Sequence, residues 1–538
     1  MDGMHSSSSI PVIIADEGLD LHEVRRIAQG QALVTFGATA RTRMLASENF
    51  LSGLAAERRC IYGVTTGFGP LAGYRLEPEF GTQLQRKLVY HLATGVGSPF
   101  APDVARAIMT IRLVTLLRGR SAVSPDVADL LCSCLNNDLV PVIPEKGTVG
   151  ASGDLTPLAH LALVLMGEGQ AWLNGQLMPS DQALSIVGLA PLTLAGRTAL
   201  ALVNGTAAMT AIAVLNAAET SRAMAICCTH AVLFCEVLEG CATAFHEAFG
   251  RIRPHAGQIE AHRRLNAIAK GSMRLRPHED LPAMLPESAA DGVHAYTAPH
   301  QDPYTLRCAP QILGAVFDVF TFHDGIVTTE INAVTDNPVI LADEMSVLHG
   351  GNFQGQHVAF AADAQSMAVV KLAEYAERRI ARLVDATMNK GLSTFLTGGR
   401  PGLDSGLMGA QVTASALVAE MRSRAIPVSL QSIPTNGNNQ DTVSMGTIAA
   451  RRAREQIADL FFILAIEAIA LAQAVDLRRA ADARSFAPCT TTWAAWVRSH
   501  SPFLAEDRPL SSEITAIAQR LQQDDLSNLL DPLRRTEG

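Results

Sequence analysis

The sequence predicts a mainly α-helical protein built around a long central helix bundle, with small α/β elements near its N-terminus. Three long segments carry apolar residues at helical spacing, whereas strand signals are few and short. Hydrophobic residues make up 48% of the 538 residues and charged residues only 18%. This composition provides enough apolar surface for long helices to be buried against one another.

The predicted elements follow in order along the chain. Residues 1–10 (MDGMHSSSSI) are polar and Ser-rich, which predicts a disordered leader and not a secretory signal. The run IPVIIA predicts a first strand, and the runs PVILAD and SVLHGGNF predict two more. Helices are predicted over residues 103–119, 155–169, 199–238, 357–389 and 446–481. The first has an Asp cap and a terminal Gly, and the second has Pro157 in its first turn. The third is interrupted by a break at Asn204–Thr206.

Glycine- and asparagine-rich segments separate these helices. They lie far apart in sequence, which is typical of loops that converge on one site from different parts of a helical fold. The sequence therefore predicts a single site made from residues 62–73, 147–154, 291–310, 334–353 and 434–441.

Charge and cysteine content restrict the partners. The net charge of −9 disfavours nucleic acid and anionic membranes and favours small-molecule chemistry or contact with another protein. Nine cysteines without zinc-type spacing predict a reduced, cytoplasmic protein, with Cys132 and Cys134 as buried thiols. The most apolar run, Leu460 to Val475, falls short of the roughly 18 residues of a membrane-spanning helix and contains Glu467, so it predicts a buried helix.

One short stretch, GTVGASGDLTPLAH, has an unusual chemical pattern. The loop has no His, Cys or carboxylate poised to activate Ser152 as a nucleophile. Glycine offers the least hindered backbone nitrogen and tolerates a strained turn, so the nitrogen of Gly153 can attack the carbonyl of Ala151 and close a five-membered ring around Ser152. Loss of water from the ring and of the serine hydroxyl then leaves an exocyclic methylene. Ser152 is thus predicted to become an electrophile.

This stretch resembles the signature of the aromatic amino acid ammonia-lyase and aminomutase family, which forms 4-methylidene-imidazol-5-one (MIO) from Ala-Ser-Gly. Five further motifs resemble the family in the family's order over residues 10 to 530: YGVTTGFGP, LVNGTAAM, QDPYTLRCAPQ, NAVTDNP and HGGNFQGQHVA. The resemblance implies the fumarase/histidase-like helical fold, MIO made from Ala151, Ser152 and Gly153 with no metal, and a homotetramer with shared active sites. The expected organisation is a tripeptide-bearing domain over 11–200, a central bundle over 201–485 and a C-terminal helical segment over 486–538.

The resemblance also implies roles for individual residues. Elimination of ammonia needs a base for a weakly acidic β-proton, and a tyrosine serves as one only where its surroundings lower its pKa. Tyr62, on a Gly-rich loop able to close over substrate, is predicted to be that base. Arg307 is predicted to bind the substrate carboxylate, Tyr304 to handle protons and Asn204 to bond near the ring. The predicted substrate-binding residues, besides a selectivity pair, are Gly69, Leu155, Gln301, Asn337, Phe353, Asn439 and Gln440.

Each of these residues also has a structural interpretation. Tyr62 could anchor its loop in the core, Arg307 could form a buried ion pair, and Asn204 could simply break a helix. The combination of motifs favours the catalytic interpretation in each case.

The selectivity pair is His91-Leu92, in LVYHLATGVG. An imidazole can hydrogen-bond a phenol hydroxyl while leucine packs against the ring, so the pair favours tyrosine, unless His91 is only a packed core histidine. Histidine-specific relatives carry Glu where this chain has Gln440. The predicted reaction is conversion of L-tyrosine to trans-p-coumarate and ammonia. A tyrosine 2,3-aminomutase, a phenylalanine or histidine ammonia-lyase, and an inactive scaffolding homologue are the alternatives.

Overall fold

The computed structural model describes residues 11–14, 18–279 and 301–530. The predicted leader, residues 1–10, lies outside this range. The described residues are mainly helical, as predicted. Nineteen α-helices occur among them: α1 Leu21–Ala28, α2 Ala38–Ala56, α3 Gly81–Leu92, α4 Pro102–Leu117, α5 Pro125–Asn136, α6 Leu155–Leu165, α7 Ser180–Ile186, α8 Thr198–Val203, α9 Ala207–Val237, α10 Ala248–Ile252, α11 Ala256–Ala269, α12 Tyr304–Arg307, α13 Ala309–Ile331, α14 Gln356–Val384, α15 Met408–Ser423, α16 Gly446–Ala481, α17 Pro488–Arg498, α18 Ser511–Gln523 and α19 Ser527–Leu530.

Nine short strands accompany the helices in the described part of the chain: β1 Val12–Ile14, β2 Val34–Phe36, β3 Val96–Pro99, β4 Leu139–Pro141, β5 Pro144–Lys146, β6 Gln170–Leu173, β7 Gln176–Pro179, β8 Val339–Leu341 and β9 Ser346–Leu348. Strand β1 pairs with β2 in parallel, with Val12 opposite Val34. The other pairings are antiparallel: β3 with β5, β4 with β6, β6 with β7, and β8 with β9. The three predicted strands are confirmed as β1, β8 and β9.

Local sequence signals explain several helix boundaries. Asp20 caps α1 in a capping box, because its carboxylate accepts from the Glu23 backbone while Glu23 accepts from the Asp20 backbone. Helix α4 begins at Pro102, one residue before the predicted start, so Asp103 lies inside the first turn and does not cap the helix. Its carboxylate accepts instead from the backbone of Val104. The predicted break at Asn204–Thr206 is confirmed as the gap between α8 and α9.

The chain divides into two compact units, each made of three separate stretches. The first unit comprises residues 1–218, 322–364 and 427–454, and the second comprises 219–321, 365–426 and 455–538. The predicted contiguous segments 11–200, 201–485 and 486–538 do not coincide with these units, because the division falls within the long helices α9, α13, α14 and α16. Each unit has its own large hydrophobic core of buried residues.

Three helices of the described chain, α9, α13 and α16, are long and apolar enough to cross a membrane by length and composition alone. For α16 this corrects the length estimate from Leu460 to Val475, because the helix extends well beyond that run at both ends. The most apolar windows of α9 and α16 are 72% and 83% buried within the protein, as expected for core helices, whereas that of α13 is 33% buried.

Candidate active site

A cavity of about 330 Å³ lies in the first unit and contains the predicted reactive tripeptide. Four of the five predicted glycine- and asparagine-rich segments meet there. Of the fifth segment, residues 291–300 lie outside the described residues, and residues 301–310 do not line the cavity. The residues that line it are Tyr62, Gly69, Ala72, Gly150, Ala151, Ser152, Asn204, Asn337, Phe353, Gln354, Asn439, Gln440, Asp441, Thr442 and Val443. Its size is at the lower end of the range for small-molecule sites.

The tripeptide forms a tight left-handed turn, with φ of 58° at Ser152 and 74° at Gly153. Gly153 lies directly against Gly205, and a Cβ on Gly153 would lie 2.2 Å from the Gly205 carbonyl oxygen. That same carbonyl accepts a hydrogen bond of 2.7 Å from the Asp154 backbone. Only glycine permits both this backbone angle and this close approach, so position 153 is sterically restricted to glycine.

Two side-chain amides donate to Ser152. Asn204 Nδ2 donates to the Ser152 carbonyl at 3.1 Å, and Gln440 Nε2 donates to the Ser152 hydroxyl at 3.1 Å. The oxygen of Gln440 accepts from Thr435 and Asn436, which directs its NH₂ group towards the serine. The Oδ1 of Asn204 is buried without a hydrogen-bond partner among the described residues. The amides thus hold the serine in place without introducing charge.

Tyr62 projects from the Gly-rich loop into the cavity. Its phenol oxygen accepts a 2.8 Å hydrogen bond from the backbone of Gly69, and its ring packs edge-on against Phe68. The carbonyl of the next residue, Gly63, accepts from the buried side chain of Gln85 at 2.9 Å. Tyr62 is therefore held at two points, by the Gly69 bond to its phenol and by the Gln85 bond to the backbone of the next residue.

Asp154, the residue after the tripeptide, ties it to the starts of two long helices. Its fully buried carboxylate accepts from the Met209 backbone at 2.8 Å, in the first turn of α9, and from the Thr447 hydroxyl at the start of α16. A carboxylate is favoured at a helix N-terminus. Burial nevertheless outweighs these hydrogen bonds and raises the pKa of Asp154 to about 6.

Three other predicted residues also lie in the lining. Asn337 accepts from the Gly350 backbone at 2.8 Å, which links the two segments that carry Asn337 and Phe353. Asn439 lies in the tight turn that ends at Gln440, where the Gln440 backbone donates to Thr435. These loop contacts explain why Asn337, Phe353 and Asn439 reach the same cavity.

The predicted selectivity residues are not among those that line the cavity. His91 and Leu92 end α3, and Leu155 begins α6, the helix against which α3 packs. Helix α6 starts two residues after Gly153, so α3 packs against the helix that directly follows the tripeptide. The Nδ1 of His91 lies 3.0 Å from the Lys87 carbonyl. A carbonyl only accepts, so Nδ1 is the donor in this contact, and in the corresponding tautomer Nε2 is an acceptor.

Three predicted residues, Gln301, Tyr304 and Arg307, belong to the second unit and do not line this cavity. Tyr304 is 67% exposed, and the guanidinium carbon of Arg307 lies 4.7 Å from the centroid of its ring. The Nε of Arg307 is buried without a hydrogen-bond partner among the described residues. A stacked tyrosine and arginine therefore form the surface of a short helical turn.

Comparison with known proteins identifies the family. A family model described as aromatic amino acid lyase matches residues 19–499. The chain belongs to this family. It is 46% identical to a tyrosine ammonia-lyase of Cereibacter sphaeroides, over 95% of this chain and 98% of that protein. It is 37% identical to a histidine ammonia-lyase of Treponema denticola, over 97% and 98% of the two chains.

Solved structures agree with this aromatic amino acid lyase assignment. A tyrosine aminomutase from Streptomyces globisporus superposes with a TM-score of 0.91 at 36% identity, covering 98% of this chain and 99% of that chain. A histidine ammonia-lyase from Trypanosoma cruzi superposes with a TM-score of 0.86 at 30% identity, covering 97% and 95%. The chain is therefore an enzyme, a carbon–nitrogen lyase with the histidase-like helical fold. Enzymes of this family use the MIO group.

Sequence reasoning missed several residues of this lyase. Gln85, Asp154 and Thr447 support the site, and Gln354 and Asp441 line the cavity. Asp154 was detectable, because it follows the tripeptide directly and precedes a helix. No sequence signal links Thr447 or Gln85 to the tripeptide, since their partners are distant in the chain.

Proposed function

We propose that this lyase is a tyrosine ammonia-lyase that converts L-tyrosine to trans-p-coumarate and ammonia. The observation that carries the proposal is the His91-Leu92 pair at the end of α3, combined with the neutral Gln440 beside Ser152. The similarity to a tyrosine ammonia-lyase at 46% identity supports the same substrate. A carboxylate suited to an imidazole ring is missing at position 440, which argues against histidine.

The electrophile of this proposal is MIO formed from Ala151, Ser152 and Gly153. The residues fit the group, because the left-handed turn brings the three residues into a compact loop and no Cβ separates Gly153 from Gly205. The donors on Asn204 and Gln440 face the oxygens of Ser152, and the unpartnered Oδ1 of Asn204 is free for a further donor. The ring supplies an electrophilic methylene that makes the substrate amine a better leaving group.

The chain's own residues then perform the proton transfer and the positioning. Tyr62, whose oxygen is held by the Gly69 backbone at the cavity wall, removes the β-proton. His91 does not line the cavity, but it ends α3, which packs on the helix that follows the tripeptide. In this proposal its Nε2 accepts a hydrogen bond from the phenol of the bound substrate, because Nδ1 is occupied by the Lys87 carbonyl. Phenylalanine lacks that hydroxyl and leaves the imidazole unpaired, which makes it the poorer substrate.

Arg307 binds the substrate carboxylate and Tyr304 assists proton transfer, each from a neighbouring subunit of a homotetramer. The exposure of Tyr304 and the unpartnered Nε of Arg307 support a role at a surface that another molecule completes. The apolar window of α13, only 33% buried within one chain, supports burial of this helix against another subunit. Nine free cysteines support a location in the cytoplasm.

A side-by-side product assay with L-tyrosine, L-phenylalanine and L-histidine tests the substrate. We expect p-coumarate from tyrosine as the main product, less cinnamate from phenylalanine and no urocanate from histidine. The intact mass should be lower than the sequence mass by two water molecules. A phenylalanine preference would refute the substrate, and a full sequence mass in active protein would refute MIO.

A tyrosine 2,3-aminomutase is the second candidate, because aminomutases share this fold at a TM-score of 0.91. An aminomutase returns the ammonia to the β-carbon, so the same tyrosine assay distinguishes the two reactions. Accumulation of β-tyrosine in place of free p-coumarate would favour the aminomutase.

A further inference from the structure

The second unit contains a buried group of charged side chains that the proposed reaction does not use. Glu467 on α16 accepts two hydrogen bonds from Arg379 on α14, and a third of 2.9 Å from the imidazole of His230 on α9. All three side chains are completely buried. We call these three residues the Glu467 cluster.

Such a cluster is costly to bury and therefore rigid once formed. An unpaired charge in the interior is strongly unfavourable, so each member depends on the others. Burial alone would raise the pKa of Glu467, but the charge of Arg379 and the imidazole of His230 outweigh it and lower that pKa. The carboxylate is thus held ionised between two fixed partners.

The Glu467 cluster supports one tyrosine directly. The Arg379 guanidinium lies 4.1 Å from the centroid of the Tyr375 ring, close enough for a cation–π contact. Tyr375 is itself buried, and its hydroxyl donates a 2.8 Å hydrogen bond to the carbonyl of Thr305. The Tyr375 ring is therefore fixed by the cluster at one end and bonded to a backbone carbonyl at the other.

Thr305 lies within α12, the four-residue turn that presents Tyr304 and Arg307. Asp302, just before this turn, is also fixed, because its carboxylate accepts from the Cys241 backbone at 2.6 Å and from Arg276 at 2.7 Å. The Asp302 bonds hold the start of the turn, and Tyr375 holds its middle. Without the Tyr375 hydroxyl, the carbonyl between the two functional side chains would lose a buried donor.

We infer that Tyr375 is a positioning residue for the reaction: its hydroxyl, supported by the Glu467 cluster, sets the orientation of the turn that carries Tyr304 and Arg307. The inference rests on the proposed roles of those two residues. A shift of about 1 Å in a substrate-binding group can lower a rate by about 100-fold. One buried hydrogen bond can therefore control catalysis without touching the substrate.

The test is Tyr375→Phe in the full-length protein, which keeps the ring and its contact with Arg379 but removes the hydroxyl. We expect kcat/KM for tyrosine to fall about 10- to 100-fold, with a rise in KM, because the carboxylate is bound less well. The intact mass should stay lower by two waters, because the tripeptide lies in the first unit. An unchanged kcat/KM would overturn the inference.

Two inhibitors separate positioning from a general structural effect. The product p-coumarate carries the carboxylate that Arg307 is proposed to bind, whereas 4-vinylphenol lacks it. We expect Tyr375→Phe to weaken inhibition by p-coumarate about tenfold or more and to leave inhibition by 4-vinylphenol within twofold of wild type. Equal weakening of both inhibitors would contradict the inference.

Thr229→Val provides the matched control. Thr229 is fully buried in the same unit, and among the described residues its hydroxyl bonds only to the Ala225 carbonyl one turn earlier in α9. Its loss should leave kcat/KM within twofold of wild type. Arg307→Lys tests the role proposed for Arg307 separately from the positioning by Tyr375. An unchanged p-coumarate inhibition constant in Arg307→Lys would show that Arg307 does not bind the carboxylate, independently of the result for Tyr375→Phe.

Discussion

Asp154 is a fully buried carboxyl group next to the reactive tripeptide, and Asp154→Asn removes its charge while keeping an oxygen acceptor of the same size. Burial raises its pKa to about 6 in the folded protein, whereas an unfolded aspartate titrates at 3.8. Between these values the unfolded chain ionises while the folded chain holds the proton. Stability from this group is therefore present below about pH 4 and is lost as pH rises to about 6, and above that it changes no further.

The size of this effect follows from the two pKa values. Their separation corresponds to about 3 kcal/mol in the free energy of unfolding. Unfolding entropy is about 2.1 cal/mol/K per residue, so over 538 residues the effect corresponds to about 3 °C in Tm. Wild type should lose about 3 °C relative to Asp154→Asn between pH 4 and pH 7.

The Tm of wild type and of Asp154→Asn is measured by thermal unfolding across this pH range. Other titrating groups contribute equally to both proteins, so the difference between the two Tm values at each pH reports Asp154. Thr447→Val is the matched control: it removes a hydroxyl that lowers the pKa of Asp154 but leaves the carboxyl group, so its pH dependence should have the same sign as that of wild type and be at least as large. A Tm difference between wild type and Asp154→Asn that is the same at pH 4 and pH 7 would refute the assignment of a raised pKa.

Three further substitutions test the site itself. His91→Phe removes the acceptor for the phenol and should raise the phenylalanine-to-tyrosine ratio of kcat/KM by about tenfold or more, measured with both substrates; no shift would contradict the proposed selectivity. Ser152→Ala removes the hydroxyl that must leave, so the mass deficit of two waters should disappear together with activity. Tyr62→Phe should lower kcat for tyrosine by about 10²- to 10⁴-fold and keep the mass deficit of two waters. A kcat near that of wild type would exclude Tyr62 as the base.

The fold was predictable where one periodicity continues over many residues. Helices α9, α14 and α16 follow long apolar patterns, and α8 ends at the predicted break. Strands β2 to β7 were not predicted: they are three or four residues long, and four of them, β3, β4, β5 and β7, contain a proline, which disfavours a strand. No alternation of polar and apolar residues can be established over so few positions.

The candidate site was predictable as a set of loops but not as a set of contacts. The tripeptide and the loop around Tyr62 were evident from residue types, since their chemistry depends on local sequence. The partnership of Asp154 with Thr447 was not, because the residues are 293 positions apart and meet only through folding. The sequence does not reveal where one unit ends and the other begins. The boundaries between the units lie inside α9, α14 and α16, and the apolar periodicity of these helices continues through them without a break.

Gln85 shows how the scaffold restrains the loop that carries Tyr62. Its Nε2 donates to the Gly63 carbonyl at 2.9 Å, and its Oε1 accepts from the Leu200 backbone at 3.1 Å in the helix that ends before Asn204. One buried amide therefore fixes the spacing between the backbone beside Tyr62 and the backbone that leads to Asn204. The loop is thus anchored to the scaffold at Gly63, and its Gly69 end is held to the Tyr62 phenol by a further hydrogen bond of 2.8 Å.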